Sequence, residues 1–287
     1  MRNLRMDTVM RISPFYLAAC CAILAVSIPA ESQPAVSAST YADLADLALA
    51  APVTAQVRLT SSVEVKKEQA ATVPPGYARF YVEADIVALI HSSESLPSHV
   101  DYLVDLPRDS RGKAPKLRKG NEYLLFAAPV RGRPDSLQLV ARDAQLPWSP
   151  GQAAQVRAIL TESTGREPPP RITGIGRAFH VPGSIPGEGE TQIFLQTAER
   201  RPVSLSVLRR PGEQPRWAVA LSEIVDESAA PPNPGSLLWY RLACSLPPTL
   251  PAQSLADSDS ENAAAAAADY RFVLEQLGAC ARTRSRQ

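Results

Sequence analysis

The stretch Arg79-Phe80-Tyr81-Val82-Glu83-Ala84-Asp85-Ile86-Val87-Ala88-Leu89-Ile90 decides the fold class. Phe80, Val82, Ala84, Ile86, Ala88 and Ile90 fall on one side of a period of two, and Tyr81, Glu83 and Asp85 fall on the other. A helix would scatter these apolar positions around its axis, whereas an extended strand lines them up over a core. The segment reads as a long, half-buried β-strand. The same alternation runs through Val53, Ala55, Val57 and Leu59, with Thr54, Gln56, Arg58 and Thr60 facing away. It returns over Val100 to Leu106, with Asp101 and Asp105 outward. Glu122 to Val130 reads as a more buried strand and Leu137 to Arg142 as a fifth. The expected class is mainly β with a few helices.

Two helices bracket these strands. Thr40 can cap one over Tyr41 to Ala51, with Leu44, Leu47 and Ala48 on its apolar face and Pro52 ending it. Ser149, Pro150 and Gln152 supply an N-cap, a first-turn proline and a capping glutamine for the other, whose apolar face is Val156, Ile159 and Leu160. Five antiparallel strands with a helix at each end, over residues 39–164, resemble a small barrel of the oligonucleotide/oligosaccharide-binding type, or its netrin-like variant. The resemblance rests on element order. The cysteines that accompany netrin-like modules are missing, so it implies a fold and no residue roles.

Residues 165–171, with Pro168-Pro169-Pro170, read as a linker, since polyproline is extended and cannot join a sheet. Strands are expected at 172–181, 191–197, 203–209, 217–225 and 237–244. A final helix begins at a Ser258/Glu261 capping box, carries Tyr270, Val273, Leu274 and Leu277 on one face, and ends at Gly278. Residues 172–281 are therefore expected to form an antiparallel sheet or sandwich closed by that helix. A basic tail at 282–287, with Arg282, Arg284 and Arg286, is expected to fray. The phrases Phe179-His180-Val181-Pro182-Gly183, Trp239-Tyr240-Arg241-Leu242-Ala243-Cys244 and Asp269-Tyr270-Arg271-Phe272 resemble a family of secreted bacterial proteins with no assigned activity.

The first 38 residues read as a secretory signal peptide. Arg2, Arg5 and Arg11 precede an apolar run from Ile12 to Ala30, and small residues follow, with cleavage expected after Ala30 or Ala38. Two other readings compete: an uncleaved anchor, eroded by Ser13, Pro14, Ser27 and Pro29, and a lipoprotein anchored at Cys20 within Leu17-Ala18-Ala19-Cys20. Cleavage removes Cys20 and Cys21 and leaves Cys244 and Cys280, an even pair expected to bond in an oxidising compartment, periplasmic or extracellular.

A formal net charge of +1 provides no global field to attract nucleic acid. His91, His99 and His180 make no metal-ligand spacing, His91 and His99 read as exposed histidines in or beside the loop Ser92 to Ser98, and no cofactor motif is present. Gly183-Ser184-Ile185-Pro186-Gly187 lacks the spacing of a nucleophile elbow, and Gly174-Ile175-Gly176 opens a strand rather than a phosphate-binding helix. Glu83 with Asp85, and Glu188 with Glu190, put two acids on one face, but glycosidases oppose theirs across a cleft. One concentrated feature is the basic loop Arg108, Arg111, Lys113, Lys116, Arg118 and Lys119, beside which Tyr81 is expected to be exposed. Such a loop binds an anionic component or simply solubilises the turn. Two function classes follow: a non-catalytic exported module that binds a protein or an envelope component, and, as the alternative, an envelope-polymer hydrolase. N-terminal sequencing of the protein recovered from the envelope fraction is expected to begin between Glu31 and Ser39. An intact Met1 or a lipidated Cys20 would overturn the cleaved-signal reading.

Overall fold

The computed structural model describes residues 39–70, 72–222 and 229–284. The signal-peptide reading lies outside these residues, as do Arg286 and the segment 223–225 of an expected strand. Residues 39–284 belong to one compact unit holding two sheets with helices packed against both. Helix α1 (Tyr41–Ala50) begins at Thr40, whose hydroxyl accepts from the Asp43 amide while the Asp43 carboxylate accepts from the Thr40 amide. Strands β1 (Val53–Glu64), β2 (Tyr77–Ser92), β3 (His99–Pro107), β4 (Glu122–Val130) and β5 (Arg133–Leu139) follow. Their order β1-β2-β3-β5-β4, with β4 returning to β1, closes a five-stranded barrel consistent with the oligonucleotide/oligosaccharide-binding type. All contacts are antiparallel except β3–β5, which is parallel through Asp101↔Ser136 and Tyr102↔Leu137.

Burial along β2 alternates from Ala78 to Asp85 as its sequence demands. Phe80, Val82 and Ala84 point inward to meet Val57, Leu59, Val100, Tyr102, Val104 and Leu125. The fifth strand starts earlier than the expected Leu137, directly after the Arg131-Gly132 turn. Gly132 there has φ +78°, a conformation that glycine adopts without steric cost and that a hairpin turn uses. A short β6 (Gln145–Pro147) adds to β4, and the Gln145 side chain accepts a hydrogen bond from the buried Tyr102 hydroxyl at 2.8 Å. Helix α2 (Pro150–Thr164) packs against α1. Ser149 precedes it but makes no side-chain cap bond.

Beyond the prolines, β7 (Ile172–Pro182), β8 (Gly189–Thr197), β9 (Val203–Arg209) and β10 (Arg216–Ala220) form an antiparallel meander. Helix α4 (Ser260–Leu277) lays Tyr270, Val273 and Leu277 onto it, against Ile193, Leu205 and Val207. Its N-cap is Asp259 rather than Ser258: one carboxylate oxygen takes both the Glu261 and Asn262 amides, at 3.0 and 2.9 Å. Gly278 caps the other end with φ +72°.

The expected strand over 237–244 is instead helix α3 (Leu237–Ala243). A short apolar run does not reveal its period, and two groups decide the matter, one adjacent in sequence and one distant. Ser236 accepts from the Trp239 amide at 3.2 Å, and the Glu162 carboxylate of α2 accepts from the Leu237 amide at 2.8 Å. Helix α3 sends Leu237 and Tyr240 into the core shared by α1, α2 and β4, and sends Leu242 under the second sheet. The sulfurs of Cys244 and Cys280 lie at disulfide distance, with 5.1 Å between their Cα atoms. Among the described residues no helix is long and apolar enough to cross a membrane.

Arg282 and Arg284 do not fray. Arg282 Nε donates to Asp46 at 2.7 Å, and Arg284 reaches Asp143 through two 2.6 Å bonds. Between them the Thr283 hydroxyl and amide and the Arg284 amide donate to Asp43. Burial alone would push the Asp43 carboxyl up, but the Thr283 hydroxyl and the amides of Thr40, Thr283 and Arg284 outweigh it and hold the group at about 2. A folded pKa below the unfolded one stabilises fully above about pH 4 and ceases to do so as the pH falls through about 2. Asp43→Asn is therefore predicted to lower Tm by several degrees at neutral pH, with the gap from wild type narrowing between about pH 4 and pH 2. A Tm equal to wild type at pH 7 would show that this contact carries no stability.

Candidate ligand-binding face

Helices α1 and α2 pack against the β4 side of the barrel, and the outward residues of β2, β3 and β5 line an open groove of about 510 Å³. Across the β2–β3 ladder the register sets three outward pairs in a row: Arg79 with Asp105, Tyr81 with Leu103, and Glu83 with Asp101. Ser136 of β5 lies beside Asp101, and Arg133 and Arg142 complete the two ends.

Each pair contributes different chemistry. Arg79 grips Asp105 with a two-pronged bond, 2.7 Å from Nε and 2.8 Å from Nη2, and its Nη1 donates to Thr72 at 3.0 Å. That fork is preorganised, because three hydrogen bonds to two residues, Asp105 and Thr72, fix the guanidinium. Tyr81 and Leu103 are 39% and 49% exposed and stand opposite each other across the ladder, an apolar platform in mid-groove. Partial burial, then the carboxylates of Asp101 and Glu83, raise the Tyr81 hydroxyl pKa, while Arg133 opposes them, so the phenol stays a neutral donor at physiological pH. Arg142 stacks its guanidinium 5.4 Å over the Tyr77 ring. A second cavity of about 780 Å³ lies under the β1–β2 connection, bounded by Glu64, Pro75, Tyr77 and Arg108, and Arg79 borders both.

The basic loop is the β3–β4 connection, but its six cations do not act alike. Arg108 is structural: it donates to Glu64 at 2.6 Å, to the Tyr77 carbonyl and to the Gly112 carbonyl. Asp109 gathers the Arg111 and Lys113 amides, while Ala114 and Leu117 pack against the barrel core. This leaves Arg111, Lys113, Lys116, Arg118 and Lys119 exposed, with no ion pair to a described residue. None of the six lines the Tyr81 groove, whose cations are Arg79, Arg133 and Arg142. Those three escaped the sequence reading because they are scattered through the chain. The strand register is the signal that would have collected Arg79.

His91 and His99 stand on strands rather than in a loop, and His180 lies on β7 where a strand was expected. His91 lies near the end of β2, and His99 Nδ1 is 3.0 Å from Asp85 on the exposed barrel face. His180 belongs to a buried network that spacing could not reveal. Its Nδ1 is 2.8 Å from the Thr191 hydroxyl, which donates to Asp269 of α4, and Arg209 completes the carboxylate's shell. The single hydroxyl proton is committed to Asp269, so His180 Nδ1 carries the donor proton. Gly189 permits this, because a Cβ there would stand 2.6 Å from the imidazole. The network ties α4 to β7, β8 and β9. Glu83 and Asp85 share one outward face of β2, where Asp85 is engaged by His99. Among the described residues no group of three or more His, Cys, Asp or Glu could hold a metal ion.

Replacing Lys116, Arg118 and Lys119 by Ser is predicted to leave Tm within about a degree of wild type, since exposed charges away from buried features usually contribute under about 0.5 kcal/mol. If the loop binds anions, the same change should abolish salt-sensitive retention on heparin, and unaltered retention would leave the loop a solubilising role only. Arg108→Ala should instead lower Tm by several degrees, because it frees Glu64 and two carbonyls at once. Equal thermal effects from the two changes would contradict this division of labour.

The chain matches no protein-family model and no curated protein. Its likeness to the oligonucleotide/oligosaccharide-binding barrel is therefore one of architecture.

Proposed function

We propose that this chain is a non-catalytic exported module that binds a protein or an envelope component across the β2–β3–β5 face of its barrel. The observation that carries this reading is the Tyr81–Leu103 platform, set between a fixed Arg79–Asp105 fork at one end and Asp101 with Arg133 at the other. An apolar platform flanked by rigid polar groups supplies what a binding face needs: area to desolvate and donors and acceptors that set orientation. On barrels of this type the outer face of the second and third strands, between the flanking loops, is where extended ligands lie. The cysteine pair at disulfide distance supports the export reading, since such bonds persist in oxidising compartments. The hydrolase alternative would rest on Glu83 and Asp85, neighbours on one strand face rather than acids opposed across a cleft.

The test presents the mature chain, immobilised, to envelope proteins and to purified envelope glycans. Tyr81→Ser combined with Leu103→Ser is expected to weaken the retained interaction at least about tenfold, the effect of losing a central apolar anchor, without moving Tm. Undiminished retention by that variant would place binding elsewhere. Release of fragments from a glycan by the wild-type chain, lost in Glu83→Gln, would favour the hydrolase.

A further inference from the structure

A different site lies behind the helices, where the ends of α1, α2 and β2 meet the start of β7. This cleft, about 480 Å³, is floored by Leu49, Pro52 and Leu160, with His91, Arg171 and Arg241 on its walls, and no residue lining it is acidic. We propose that it binds a compact oxyanion, a phosphate or carboxylate group, held between the guanidinium groups of Arg241 and Arg171.

Arg241 carries the argument. It stands on α3, whose neighbouring residue Tyr240 is bound to Asp46 on the α1 side, and the Arg241 Nε is buried without a hydrogen-bond partner. A buried donor left unpaired is costly, and more so when it belongs to a charged group, and an anion held against the same guanidinium would offset that cost. Burial, partly opposed by Tyr240 and Glu199, draws the guanidinium pKa below its usual value, the imbalance a bound anion would reverse.

The nearby acids are already engaged, Glu199 by Arg171 itself. Glu199 accepts from the Arg171 amide and from Arg171 Nε, both at 2.9 Å, and Glu162 accepts from the Leu237 amide. Two guanidinium groups therefore share one carboxylate. Arg171 makes its side-chain hydrogen bond to Glu199 through Nε and also lines the cleft. An arginine fork matches the paired oxygens of phosphate or carboxylate, and the apolar floor strengthens the attraction by excluding water from one side.

The probes are inorganic phosphate and acetate, each titrated into the mature protein at ionic strength held constant with chloride while Tm is followed. At least one is expected to raise Tm by several degrees in a saturable manner, as a ligand specific for the folded state does. Which of them acts identifies the oxyanion. The rise should vanish in Arg241→Met and shrink in Arg171→Met, whose position is exposed and whose folding is not at stake. It should persist in Arg118→Ser, which changes charge at the far basic loop. A wild-type Tm indifferent to both anions, or a rise retained in Arg171→Met and Arg241→Met alike, would overturn the site.

Discussion

Everything in this molecule depends on how α3 and the segment that follows α4 are seated against α1. Two links hold them. Cys244, at the C-terminal cap of α3, lies at disulfide distance from Cys280, just past the cap of α4. The next residues then run along α1: Arg282 to Asp46, Thr283 and the Arg284 amide to Asp43, and the Arg284 side chain on to Asp143. The apolar core beneath these links joins Leu44 and Leu47 of α1, Phe126 of β4, Ile159 of α2, and Leu237 and Tyr240 of α3. The barrel contributes Leu124 and Phe126 of β4 to that core, and α3 joins it to the core of the four-stranded sheet by sending Leu242 there. Bonding Cys244 to Cys280 closes a 36-residue loop, a constraint worth about 3–4 kcal/mol in the entropy model.

This arrangement also decides which surfaces remain for binding. Because α1 and α2 occupy the β4 side, the outer face of β2, β3 and β5 stays uncovered. Barrel closure sends alternate residues outward all along those strands. The price of closure is that Tyr81 and Leu103 stand in water on every turn of solvent exchange, and a ligand that covers them recovers it. The cleft proposed to take an oxyanion arises from the same packing, where Arg241 of α3 and Leu160 and Ser163 of α2 line one cavity.

Much of the barrel was legible because its signals are local. Period-two alternation placed β1, β2 and β3, and Thr40 announced the start of α1 through its own third-residue partner. The cap of α4 and the start of β5 were missed locally, by one and four residues, whereas the larger misreadings share a cause, which is partners distant in sequence. The 237–244 run became a helix once Glu162, 75 residues earlier, met its first amide. The tail docked because Asp43 and Asp46, more than 230 residues away, supply its acceptors. His180 looked solitary since Thr191 and Asp269 reach it only through strand pairing and helix docking. The groove was half legible: alternation exposed Tyr81, but only the register placed Leu103 beside it and Asp105 beneath Arg79.

The account's central claim is that the two sheets unfold as one body, held by the shared helical core and its staple. Calorimetric unfolding of the mature chain, with and without a thiol reductant, tests it most directly. A single transition is predicted, with equal calorimetric and van't Hoff enthalpies, and reduction should move that whole transition to lower temperature by several degrees. Two separable transitions, or a single one that reduction leaves in place, would contradict it.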